Sequence, residues 1–125
     1  MILNLTQHRT TAQQRDQGIS DLSPEDHAAW SQAITFTNIH TIPEQTHKAV
    51  AFAVSLARKY NATDAMIGGA MWLIAPLASA LRDAGVRVWF AFSERRTVEH
   101  QNQDGTVTKT TVFEHAGLVP FIDKI

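Results

Sequence analysis

Three short polar runs hold the residue types that could do chemistry: Thr6-Gln7-His8-Arg9, Gly68-Gly69-Ala70 and Ser93-Glu94-Arg95-Arg96. Each follows an apolar run that reads as a strand. In an open parallel sheet, ligands bind in the crevice beyond the carboxyl ends of the strands. If the three strands are parallel neighbours, the three runs converge on one mouth. Gly68-Gly69 would let a ligand approach the backbone closely, and a helix beginning after Ala70 would offer free N–H groups to a phosphate. The same pair reads more readily as a tight strand-to-helix turn with nothing bound. No GxGxxG or GKS/GKT pattern accompanies it, so no dinucleotide cofactor is expected. Arg95 and Arg96 could hold phosphate oxygens bidentately or stack on a base; the alternative is a solvated pair at the entry to a hairpin. His8 is a candidate general acid/base or ligand contact, or a structural turn residue. Ser93 lacks a G-x-S-x-G elbow and reads as a hydrogen-bonding residue rather than a triad nucleophile. Trp72, Trp89 and Phe90 suit core packing, with base stacking a second option for Trp72.

The elements that must position these runs are legible from caps and periodicity. Ile2 to Leu5 reads as a short buried strand, and Thr11 with Gln14 as a capping box opening a helix over about 12–17, stopped by Gly18. Ile19 to Leu22 is a brief extended piece. Ser23-Pro24 starts a second helix, running to about Thr35 and burying Trp30, Ala33 and Ile34. Thr41 with Glu44 reads as another capping box, and the apolar spacing through Ala49, Val50, Ala53, Val54, Leu56 and Ala57 predicts a helix to Tyr60. Asp64 to Ile67 is a buried strand, and Ala70 to Ala84 a helix that Pro76 must kink or restart. Val86 to Phe92 is rich in β-branched and aromatic residues and suits a parallel sheet covered on both faces. Asp104-Gly105, between Thr97–Gln101 and Thr106–Phe113, marks an antiparallel hairpin; Gly117 to Phe121 reads as one more edge segment, because of Pro120. The expectation is an α/β chain: one Rossmann-like domain over residues 1–125, its parallel sheet flanked by helices and carrying a C-terminal antiparallel hairpin.

Composition narrows the function classes. Apolar residues make up 44% of 125 residues and charged residues 18%, with a net charge of −1. That is the make-up of an ordinary globular domain, without the basic face a duplex nucleic-acid binder shows. The chain has no cysteine, and its six histidines show neither HExxH nor paired-ligand spacing, so neither a disulfide scaffold nor a metal site is expected. The longest apolar stretch, Ala65 to Leu81, is broken by Gly68, Gly69, Pro76 and Ser79 and reads as core, not as a membrane span. The opening Met1 to Leu5 is too short for a signal peptide, and a cytoplasmic location is expected.

The run Phe92-Ser93-Glu94-Arg95-Arg96-Thr97-Val98-Glu99, with the Asp104-Gly105 turn and Val112-Phe113-Glu114-His115, resembles the C-terminal signature of small CRISPR-ancillary proteins. These have a CRISPR-associated Rossmann fold and handle cyclic oligoadenylate messengers, some of them as ring nucleases. The strand ending at His8 is also similar, as are prophage proteins with the same opening and the Ile67-Gly68-Gly69-Ala70 turn; where the ancillary family tends to carry Gly-Asp, this chain has Gly68-Gly69. The resemblance implies roles for Ser93, Arg95, Glu99 and His115, and for His8. It implies a homodimer or larger assembly binding a cyclic oligonucleotide or ADP-ribose derivative of antiviral immunity. The messenger would be neutralised by sequestration or by metal-independent cleavage using its own 2′-hydroxyl. The alternative is a ligand-free phage or prophage interaction module that acts through its hairpin edge.

Overall fold

The computed structural model describes residues 1–122. β1 (Ile2–Leu5), β2 (Ile19–Ser20) and β3 (Asp64–Ile67) run parallel to one another and to the first part of β4 (Arg87–Gln101), against which β5 (Val107–Pro120) lies antiparallel. The sheet order is β2-β1-β3-β4-β5. Helices α1 (Ala12–Asp16), α2 (Pro24–Ala33), α3 (Ile42–Lys59) and α4 (Met71–Asp83) make the connections. The chain is thus the Rossmann-like α/β fold with a C-terminal hairpin that its sequence predicts. None of the helices among the described residues is long and apolar enough to cross a membrane.

Local signals account for most boundaries. The Thr11/Gln14 capping box is fully formed, and Gly18, at φ 85°, carries the chain out of α1 in the left-handed conformation. Ser23 accepts the Asp26 N–H at 3.2 Å to start α2. Trp30 is fully buried and its indole N–H donates to the Leu5 carbonyl at 2.9 Å, tying α2 to the end of β1. Ile34 is buried and Ala33 half-buried. Leu3, Leu5, Ala65, Ile67 and Val88 point from the sheet into one cluster with Ala49, Ala53, Leu56 and Leu77 from α3 and α4.

Three expectations need correction. Thr41 does not cap α3: a 3-10 turn over Ile39–Thr41 leads straight into the helix, and the Thr41 hydroxyl donates back to the Asn38 carbonyl at 3.1 Å. Pro76 does not restart α4, which runs unbroken through it. The carbonyl four residues back, which Pro76 cannot serve, belongs to Trp72, itself 48% exposed, so water can satisfy it. The largest departure is β4. Ser93 to Arg96 is not a loop but continuous strand, because the chain stays paired with β5 from Trp89↔Pro120 to Gln101↔Val107, with one register shift between Phe92 and Ser93. Pairing with β3 ends at Phe90. Beyond it β4 and β5 form a two-stranded ribbon, and Ala91 and Phe92 are exposed rather than covered on both faces. Gly117 to Pro120 belongs to β5 itself, an edge strand, as Pro120 requires.

Candidate functional site: a crevice at the switch point of the sheet

From β1 the chain crosses one way to β2 and then returns past β1 to β3, so the strand order reverses between β1 and β3. At such a switch point the loops beyond the strand ends diverge and leave a crevice. A crevice of about 370 Å³ lies here. Its wall is Thr6, Gln7, His8 and Arg9 after β1, Gly68 and Gly69 after β3, Ala91 and Ser93 on β4, and Gln14 of α1.

The loop after β1 is shaped from beneath by a residue the sequence reading passed over. Asn4 is 1% exposed, within a strand otherwise apolar. Its amide donates to the His8 carbonyl at 2.7 Å and to Asp21 Oδ1 at 2.9 Å. Its oxygen accepts the Thr6 N–H at 3.0 Å and the Thr6 hydroxyl at 2.7 Å. This is an asparagine-closed turn, in which a side chain replaces a ladder partner. Asp21 also receives the Thr10 N–H at 3.0 Å and the Thr10 hydroxyl at 2.9 Å, and Arg15 donates to the Thr10 carbonyl at 2.8 Å. Burial works against the Asp21 charge, but the hydrogen bonds from Asn4 and Thr10, helped by Arg9, outweigh it and hold its pKa below the ordinary value. Asp21 is therefore an anion held behind the loop. The Gln7 amide donates to the Thr35 hydroxyl at 3.1 Å, while His8 and Arg9 are exposed. The His8 imidazole has no hydrogen bond to another described residue.

The second wall is backbone. Gly69 sits at φ 118°, a conformation that L side chains rarely adopt, and a Cβ on Gly68 would meet the Thr6 methyl at 3.6 Å. Ala70 is the N-cap of α4 and has no side-chain oxygen to bond the first-turn N–H groups. The Leu73 N–H donates to the Ala70 carbonyl at 3.0 Å, and those of Met71 and Trp72 remain at the positive end of the helix dipole, next to the glycine turn. Among the described residues that line the crevice there is no carboxylate, and Arg9 is the permanent cation.

The structure therefore brings together Thr6, Gln7, His8, Gly68, Gly69 and Ser93, with Ala70 at the adjoining helix start. His115 lies opposite Ser93, where the register shifts by one residue between Phe92 and Ser93. Its ring is held 2.8 Å from Gln17 Oε1 and 3.4 Å from Gln14 Nε2. Arg95, Arg96 and Glu99 lie elsewhere, on the ribbon. The Arg95 guanidinium stands over the Phe113 ring at 5.7 Å, Arg96 pairs with Glu114 at 2.7 Å, and Glu99 with Lys109 at 3.7 Å. Trp72 is half-exposed, edge-on to Phe36 at 5.3 Å, rather than in the core. A second hollow, of about 380 Å³, lies at the other end of the sheet, beside Arg82, Arg87 and Phe121. Its charged groups are engaged: Arg87 pairs with Asp64 at 2.9 Å and Arg82 covers the Phe121 ring.

Among known proteins, the model of the Uncharacterized protein MJ1673 family matches residues 1–119. No curated protein and no solved structure matches the chain.

Proposed function

We propose that this chain, which belongs to the Uncharacterized protein MJ1673 family, binds a nucleotide second messenger of antiviral immunity in the switch-point crevice and neutralises it. The observation that carries this reading is a mouth whose described lining residues include no carboxylate, and in which Arg9, His8 and the start of α4 border a glycine turn. Such a mouth favours an anion that accepts backbone N–H groups. A volume of about 370 Å³ is at the lower end for small-molecule sites and fits about one nucleotide unit. A cyclic oligonucleotide would therefore be shared between crevices of two copies, which is how the expected homodimer enters the reading.

Holding the messenger suffices to neutralise it. Cutting it would use the ligand's own 2′-hydroxyl: its oxygen attacks the adjacent phosphorus, the bond to the 5′-oxygen breaks, and a 2′,3′-cyclic phosphate forms. His8 would take the hydroxyl proton and return one to the leaving oxygen, while Ser93 hydrogen-bonds the phosphate. The test is a thermal-shift panel of cyclic oligoadenylates, cyclic dinucleotides and ADP-ribose derivatives, followed by chromatography of any ligand that binds. One class should stabilise the fold by about 2.7 kcal/mol at a hundredfold excess over Kd. A panel that leaves the melting temperature unmoved overturns the reading. The open edges of the ribbon favour the second reading, a ligand-free interaction module, which predicts that outcome.

A further inference from the structure

We propose that the β4–β5 ribbon is an arm that clasps a second copy of this chain. Residues 93–101 and 107–115 pair over nine positions beyond Phe90, where the pairing of β4 with β3 ends. Among the described residues, and outside its base, where His115 meets α1, the ribbon has two bare faces and two open backbone edges. A lone two-stranded ribbon is marginal in water, and an edge this long, rich in threonine and valine, is a template for pairing. One face bears Phe113, 69% exposed, and Val107, 54% exposed; the other bears Val98, 40% exposed. Arg95 lies over Phe113, an aromatic–arginine pair of the kind that dominates interface energetics.

Area and charge decide what the occupant is. Nine pairs span roughly 30 Å, so one face offers roughly 300 Å² in projection, against about 800 Å² per partner in a standard interface. A partner that merely docks on one face falls well short. Two copies exchanging arms each give a face and receive one, which doubles the area before any contact between their bodies. The two strand segments carry three cations (Arg95, Arg96, Lys109) and three carboxylates (Glu94, Glu99, Glu114). By the strand pairing, the Phe113 face carries Arg95, Lys109 and Glu99 and the opposite face Arg96, Glu94 and Glu114, so each face mixes both signs. A mixed face can meet a copy of itself across a two-fold axis, whereas a polyanion or a basic partner would select one sign. The inference does not depend on the nucleotide reading, because the assembly is measured without ligand.

Sedimentation velocity on the full chain, with no ligand and up to millimolar concentration, should show a dimer. Phe113→Asp should raise its dissociation constant by about 30-fold or more, while the near-ultraviolet signal of buried Trp30 shows the fold intact. Thr111→Lys, on the same face, should act in the same direction. A monomer throughout the range overturns the proposal, and so does a dimer that both substitutions leave unchanged.

Discussion

Replacing Asn4 with alanine removes four hydrogen bonds of 2.7–3.0 Å from a side chain that is 1% exposed. At about 1 kcal/mol net each, the sum would be about 4 kcal/mol. Thr6 is half-buried and His8 exposed, so water can reach part of what is lost. Asp21 keeps both donors from Thr10. The expected loss is therefore roughly 2–3 kcal/mol, read from urea denaturation as a lower midpoint with an unchanged slope. Amide exchange at Thr6 should accelerate along with it. Asn4→Asp should be worse at neutral pH, because it sets a second carboxylate beside Asp21 Oδ1, and should recover part of the difference in acid. Asn38→Ala is the control: there the oxygen accepts a single bond, from the His40 N–H, on an exposed turn. If Asn4→Ala unfolds within about 0.5 kcal/mol of the parent, the account of how this loop is built is wrong.

Three further outcomes follow from the same geometry. The folded pKa of Asp21 is lowered, so its ionised form stabilises the fold; that contribution is complete above the ordinary carboxylate pKa and disappears as pH falls through the lowered value. Asp21→Asn should therefore be less stable than the parent at neutral pH and converge with it in acid, in melts from about pH 7 to 2. Gly69→Ala should cost about 1–3 kcal/mol through its φ of 118°, since its Cβ would meet only the Leu73 side chain at 3.7 Å; urea midpoints check it. In calorimetry with a binding messenger, Arg9→Ala should weaken affinity about tenfold or more, and Arg95→Ala less, because Arg95 is stacked on Phe113 outside the crevice; the reverse order would put the phosphate on the ribbon.

What was legible in the sequence was what short-range chemistry decides. The Thr11/Gln14 and Ser23-Pro24 starts, the glycine stop at Gly18 and the Asp104-Gly105 hairpin are each set by neighbours a few residues apart. From those, the convergence of Thr6–Arg9 with Gly68-Gly69 follows once the strands are parallel. Ser93 to Arg96 misled because four polar residues after an apolar run look like a loop. What makes them strand is a partner about 20 residues further on, with Arg96 meeting Glu114 across the ribbon. That same pairing takes Arg95, Arg96 and Glu99 away from the mouth and leaves Ser93 in it. Asn4 left one signal, a polar residue inside a four-residue apolar strand, but its partners Asp21 and His8 are set by the turn and by β2, not by spacing.

The central claim is that the switch-point crevice holds a nucleotide, and the most direct measurement is amide chemical-shift mapping of the full chain titrated with the messenger that gives the largest thermal shift. The account predicts saturable changes at Thr6 to Arg9, at Gly68, Gly69 and the first turn of α4, and at Ala91 and Ser93. Changes confined to the ribbon beyond Arg95, or to the hollow beside Arg82 and Phe121, would contradict it.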